Sequence, residues 1–275
     1  MFQKKVKITR IHNEEKKEEL DTVLIESSID IFVNSQPLVN IICLNKDLKE
    51  LAAGFLFSIG IINSMDDINI IKIDNSKGQV HVELVDSIDF NSEILELTPI
   101  SRVIDTTCGI PSPWRNLIKE RLIESENILN LGTEFSISSE LIFSSMKEMQ
   151  KNTRLFKETG GCHGAAIFDL KASLITVKED IGRHNAIDKC IGELLFKKEF
   201  FHDKILTSTG RLTGDSVLKA VRAQIPIVSS LSAAVESGII LADSYGITLI
   251  GFARGKKMNI YTHPERIKLQ GINFF

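Results

Sequence analysis

Cysteine is scarce in this 275-residue chain. The four residues, Cys43, Cys108, Cys162 and Cys190, include no C-x-x-C pair, so neither a disulfide framework nor a thiolate zinc site is indicated. A long apolar run is also missing. The longest nearly continuous stretch, LAAGFLFSIGII at 51–62, is too short to span a bilayer and is broken by glycines. Excess positive charge is absent too: the formal net charge is -3, so no global basic field points to a nucleic-acid partner. The opening segment, MFQKKVKITR, lacks the apolar core of a signal peptide, and a cytoplasmic protein bound to neither membrane nor nucleic acid is expected. What is present, 43% hydrophobic residues, is enough to build a real core over this length.

The chain reads as two halves of different character. In the first, IDIFVN (29–34) and LVNIICL (38–44) flank turn chemistry and predict a hairpin. Apolar residues at 48, 51, 52, 55, 56 and 59 keep the helical period, and short strands follow at 68–73 and 79–84. This predicts a small α+β domain over 1–107. A segment at 108–135 holds a cysteine loop and a connecting helix (116–129). In the second half, 136–275, a helix over 138–156 precedes a hairpin (164–170 and 173–180). A helix at 184–196 and strands at 204–209, 225–230, 246–253 and 258–262 then follow, the first three strands separated by helices at 214–223 and 232–245. Such alternation predicts an α/β sheet covered by helices, with parallel strands joined by crossovers.

Three strand-to-helix junctions stand out. EDIGRHNAID carries Arg183 and His184, TSTGRLTGDS carries Gly210 and Arg211, and SSLSAAVE carries Ser229, Ser230 and Ser232. Loops after parallel strands gather at one sheet edge, where helix N-termini present free N–H groups to anions. Glycine and serine also serve simply as helix caps, but two arginines among the three loops favour a phosphate or another anion. In KETGGCHGAAIFD, His163 opens a strand beside a glycine turn and is a candidate proton shuttle. The hairpin tip with Arg254, Gly255, Lys256 and Lys257 is either a solvated turn or a basic clamp on phosphates or a flat heterocycle.

The cysteines divide by context. Cys43 and Cys190 lie in apolar strand and helix patterns and read as buried small hydrophobes, whereas Cys108 and Cys162 have loop neighbours. Gly109, Pro111 and Pro113 keep Cys108 out of regular structure. A mobile thiol there suits nucleophilic attack or a covalently carried sulfur.

TTCG, TGGCHGAAIFD, EDIGRHNAIDKCIG, the stretch from STGRLTGDS to GFARG and MNIYTHPERI together resemble the formate dehydrogenase accessory (FdhD/NarQ) family over nearly the full length. The resemblance implies a sulfur carrier. A cysteine desulfurase would load a persulfide onto Cys108. The sulfur would pass to a molybdenum or tungsten bis(molybdopterin guanine dinucleotide) cofactor before its insertion into formate dehydrogenase. It also implies a cytidine deaminase-like fold for the second half and a homodimer. Phe252, Ala253, Arg254, Gly255, Lys256 and Lys257 are the expected cofactor-binding turn, joined by Gly210, Arg211, Arg183, His184 and Ser229. The family's loop often reads C-G-x-C; here Pro111 stands at the second position, which leaves Cys108 as the single expected carrier, with Cys162 its potential replacement. Zinc deaminase chemistry is not expected, because the required H-x-E and P-C-x-x-C are missing. Two other classes remain: a chaperone that only holds the cofactor, and a cysteine hydrolase acting on a nucleotide.

Overall fold

The computed structural model describes residues 2–88, 90, 103–104 and 135–269. The Cys108 loop, Trp114 and the helix expected over 116–129 lie outside the described residues. The chain opens with a two-stranded ribbon, β1 (Gln3–His12) and β2 (Glu15–Leu24), closed by Asn13 and Glu14, both at positive φ. Next come β3 (Ser27–Val33) and β4 (Gln36–Cys43), turned by Asn34 and Ser35, also both at positive φ. Two successive positive φ values match the twist of antiparallel strands, which is why such turns close hairpins. Helix α1 (Leu48–Ser58), β5 (Ile68–Asp74), β6 (Gln79–Leu84) and β7 (Val103–Ile104) complete the first half.

Beyond the undescribed segment, β8 (Ile137–Ser138) leads into α2 (Ser139–Asn152) and α3 (Arg154–Thr159). Then follow β9 (His163–Asp169), β10 (Leu174–Asp180), α4 (Arg183–Lys197), β11 (Lys204–Ser208) and α5 (Gly214–Arg222). The last elements are β12 (Ile227–Ser230), α6 (Glu236–Ser244), β13 (Thr248–Arg254), β14 (Lys257–Ile260) and β15 (Ile267–Lys268), which pairs with β8.

Two larger sheets result. One has the order β5-β6-β3-β4-β7, the other β10-β9-β11-β12-β13-β14. In the second, β11, β12 and β13 run parallel while β9, β10 and β14 run antiparallel to their neighbours. The mixed α/β architecture expected from the alternating pattern is therefore present. Strand alternation sorts the core into two layers. Ala166, Phe168, Ile205, Ile227 and Ile250 pack on Ile142, Met146 and Met149 of α2. Ala165, Ile167, Leu206, Val228 and Leu249 face the opposite way, toward Ile187, Ile191 and Val217 of α4 and α5. That second cluster continues without a break into Phe55 and Leu56 of α1 and Ile29, Ile31 and Val80 of the first sheet.

The joint between the halves is the crossing of α1 and α4. A methyl group on Gly54 would stand 1.8 Å from the Asp188 carbonyl oxygen, and one on Gly192 would stand 2.0 Å from that of Glu50. Only hydrogen fits at either point. Ion pairs buried beside the crossing reinforce it. Lys219 Nζ lies 2.7 Å from both Asp188 carboxylate oxygens, and Ser58 donates to Asp188 at 2.6 Å. Such pairs hold register more than they add net stability, because the desolvation cost offsets much of the attraction.

Three details differ from the sequence pattern. The β1–β2 ribbon sits in a charged segment with little apolar alternation, where only the positive-φ turn identifies it. The helix expected over 138–156 breaks at Thr153, whose φ and ψ of -81° and 81° end α2 and start α3. The helix expected from 232 begins at Glu236, because residues 231–235 are held against the β11–α5 loop by backbone bonds at Leu212. Among the described residues no helix is long and apolar enough to cross a membrane.

The crossing makes a direct prediction. Gly54→Ala and Gly192→Ala should each lower stability by about 3 kcal/mol or more, read from denaturant midpoints, because the added carbon meets backbone that cannot yield. Gly161→Ala, whose new carbon would find no atom nearer than 3.5 Å, should change it by less than about 0.5 kcal/mol.

Candidate functional site

The carboxyl ends of β11, β12 and β13 meet the start of β9 and the N-terminus of α4 at one edge of the six-stranded sheet. Hydrogen bonds weld these segments together. Thr209, just past β11, donates its N–H to the Gly164 carbonyl (2.9 Å) and accepts the Gly164 N–H on its hydroxyl (3.1 Å). Ser232 Oγ donates to the Thr209 carbonyl (2.8 Å), and the Ser232 carbonyl accepts the Phe252 N–H (3.0 Å). Ser230 Oγ, bonded to the carbonyls of Ser208 and Gly210, braces the same turn.

Position Arg183 follows from Asp180. At the end of β10 this fully buried carboxylate accepts from Gly182 N–H (2.9 Å), Asn185 Nδ2 (2.9 Å) and Leu44 N–H (3.0 Å), and pairs with Lys189 at 2.6 Å. One side chain thus fixes the start of α4 and ties it to the end of β4. The Arg183 side chain then lies across Gly210, where an added methyl group would stand 2.8 Å from Arg183 Cβ. Gly210 is therefore needed as glycine for a packing reason.

Burial first, and then the neighbouring Arg211, push the Arg183 guanidinium below its ordinary range, with Asp215 opposing. The buried Arg183 Nε makes no hydrogen bond among the described residues. The N-cap residues Gly182, Thr213 and Val235 of α4, α5 and α6 make no side-chain cap bonds, and at α5 the Gly214 N–H donates instead to Ser237 Oγ at 3.1 Å. His163 joins this group: its Nδ1 lies 3.2 Å from Thr209 Oγ1. Burial first, then Arg183 and Arg211, push its ring below the ordinary histidine value, against the pull of Asp180. Each of these effects except that of Asp180 favours the neutral ring.

The remaining expected residues are distributed differently. His184 is buried and its Nε2 meets Thr213 Oγ1 at 3.4 Å, joining α4 to the start of α5. Ser229 turns to the other side of the sheet, where its hydroxyl donates to Met146 Sδ. Ala253 is fully buried in the α2-side core. Phe252 is partly exposed at φ 52°, at a bulge of β13. A bulky residue in the left-handed region is strained and is held by its bond to Ser232. Arg254, Gly255, Lys256 and Lys257 form the exposed β13–β14 tip. Thr209, central to the edge, escaped sequence reading, because a threonine at a strand end carries the same signal as a cap.

All three described cysteines are buried and free. Cys43 and Cys190 sit in the core, as their apolar neighbours predict. Cys162 packs with Leu44 and Leu155, despite its glycine-rich loop. Burial, reinforced by Glu179 and Asp180, pushes the Cys162 thiol up to about 12; burial likewise takes Cys43 to about 12 and Cys190 higher. None can supply a thiolate near neutral pH. Cys108 lies outside the described residues. Alkylation of the folded chain should therefore be at least about a hundredfold slower at Cys43, Cys162 and Cys190 than in denaturant, read by mass mapping of each peptide. Rapid native labelling of Cys162 would contradict its burial.

Comparison with known proteins agrees with this architecture. The FdhD/NarQ family model matches residues 24–268. A Sulfolobus acidocaldarius protein named sulfur carrier protein FdhD is 37% identical over 97% of this chain and 99% of its own length. A Bacillus subtilis protein of the same name is 34% identical over 90% of this chain and 91% of its own. A crystal structure from Desulfotalea psychrophila, described as a candidate formate dehydrogenase accessory protein, aligns with a TM-score of 0.76 at 27% identity, covering 98% of this chain and all of that one. On a match of that length and identity, the chain belongs to the FdhD/NarQ family.

Proposed function

We propose that this chain is a sulfur carrier for formate dehydrogenase maturation, working through a persulfide on Cys108. The observation that carries the reading is the burial of all three described cysteines, Cys43, Cys162 and Cys190, none of which is placed to carry sulfur. In the loading step the Cys108 thiolate attacks the outer sulfur of a cysteine desulfurase persulfide. A new S–S bond forms, the donor's S–S bond breaks, and the desulfurase cysteine leaves as thiolate. The sulfur is then delivered to a molybdenum or tungsten bis(molybdopterin guanine dinucleotide) cofactor, the cargo that formate dehydrogenase receives.

The edge built from Arg183, Arg211 and the start of α4 supports a diphosphate-bearing cargo, since clustered cations and helix N-termini suit phosphate oxygens. Phe252, strained and partly exposed one hydrogen bond from Ser232, suits stacking on a flat base. The exposed Arg254, Lys256 and Lys257 tip adds positive charge on the same sheet. The mixed order of the six-stranded sheet is in keeping with the deaminase-like topology that the family resemblance implies. Two copies forming a homodimer, in the cytoplasm, complete the proposal.

Mass measurement after incubation with a cysteine desulfurase and cysteine tests the carrier. The unmodified chain should gain one sulfur atom, and Cys108→Ala should gain none; an adduct that persists in Cys108→Ala would overturn the assignment. If Cys108→Ala still supports full formate dehydrogenase activity, the chain is a chaperone that only holds the cofactor. Arg183→Ala and Arg211→Ala should each weaken guanosine diphosphate binding by about ten- to a hundredfold in calorimetry, the cost of losing a charged hydrogen bond. Unchanged affinity in both would remove the edge from the binding site.

A further inference from the structure

We infer that Thr209 is a positioning residue for His163, holding the imidazole in the tautomer with its proton on Nε2, so that the ring meets an anionic ligand as a neutral hydrogen-bond donor. The anionic ligand rests on the function proposed above; the tautomer is a property of this chain alone.

The argument is one of hydrogen count. A threonine hydroxyl has one hydrogen to give and two lone pairs to receive. One lone pair of Thr209 Oγ1 takes the Gly164 N–H at 3.1 Å. The only other partner of that oxygen among the described residues is His163 Nδ1, at 3.2 Å. Were Nδ1 protonated, the hydroxyl would accept twice and its own hydrogen would be stranded at a residue only 5% exposed. A stranded buried donor is a substantial penalty. With Nδ1 bare, the hydroxyl hydrogen goes to Nδ1 and every group is satisfied. The hydroxyl is not free to choose otherwise, because the Thr209 N–H is itself bonded to the Gly164 carbonyl at 2.9 Å, so Thr209 and Gly164 lock each other.

The ring's proton therefore sits on Nε2, which has no partner among the described residues. The charged groups acting on the ring are Arg183 from α4, Arg211 from the loop after β11 and Asp180 from β10. The two arginines disfavour an imidazolium and favour an incoming anion. Nε2–H and Arg183 Nε, which makes no hydrogen bond among the described residues, thus belong to one edge. This role differs from a proton shuttle, which would need Nδ1 or Nε2 to alternate; the Thr209 hydroxyl opposes that alternation.

The test uses the full-length chain labelled with nitrogen-15 histidine, the His163 signals being assigned by their loss in His163→Gln. At neutral pH, Nδ1 should resonate as an unprotonated nitrogen and Nε2 as a protonated one. Thr209→Ser should keep that pattern, and Thr209→Val should shift His163 toward a tautomer mixture. A protonated Nδ1 in the unmodified chain, or an unchanged pattern in folded Thr209→Val, overturns the inference. Inorganic pyrophosphate is the ligand probe: Thr209→Val should weaken it about tenfold, and Thr209→Ser less than about twofold. If the unmodified chain shows the Nε2–H tautomer but binds no pyrophosphate, the anion reading of the edge falls and the Thr209 assignment stands.

Discussion

Everything in this molecule depends on two helices meeting at backbone distance. Gly54 of α1 and Gly192 of α4 remove the side chains that would hold the helices apart, and the carbonyls of Asp188 and Glu50 occupy the space. Because α1 belongs to the first sheet and α4 to the second, this crossing makes one continuous apolar core from both halves. The charges beside it are placed to exploit that proximity. Asp188 reaches Ser58 on α1 and Lys219 on α5, while Asp180 reaches Leu44 beyond β4 and Lys189 on α4. Each carboxylate would be costly if left unpaired, so each constrains several elements at once.

The sheet edge that holds Arg183 and Arg211 inherits its geometry from this joint. Asp180 sets the first turn of α4, the first turn sets Arg183, and Gly210 gives the arginine room to lie flat. Arg183 and Arg211 are brought together with His163, and the buried carboxylates of Asp215 and Asp180 act on the arginine and the ring from beside them. The separation of roles is equally physical. The described thiols are held in a core that suppresses thiolate, so sulfur chemistry is kept away from the framework.

Much of this was legible in the linear chain. The alternation of strands and helices after residue 160, the β3–β4 hairpin and the helical period over 48–59 all reflect local rules, namely side-chain period and turn conformation, that operate over a few residues. The same rules flagged Arg183, Gly210 and Arg211, because glycine and arginine at strand-to-helix junctions carry a signal of their own. The β1–β2 ribbon was not legible, since it is rich in Lys and Glu and its apolar alternation is confined to Val6 and Ile8.

What the sequence alone determined, then, is the family, the order of elements and the residue types gathered at the junctions. The tertiary structure decided which of them share a face. Ser229 and Ser230 are adjacent in the chain, yet one hydroxyl reaches Met146 on α2 and the other braces the Gly210 turn, because neighbouring strand residues point to opposite sides. Cys162 looked like a loop thiol and is buried, because α3 and β10 close over its loop. Thr209 and His163 are 46 residues apart and meet only because β9 and β11 pair antiparallel. Long-range pairing of this kind leaves no local periodicity to detect, so the contact that fixes the histidine is visible only once the sheet is built.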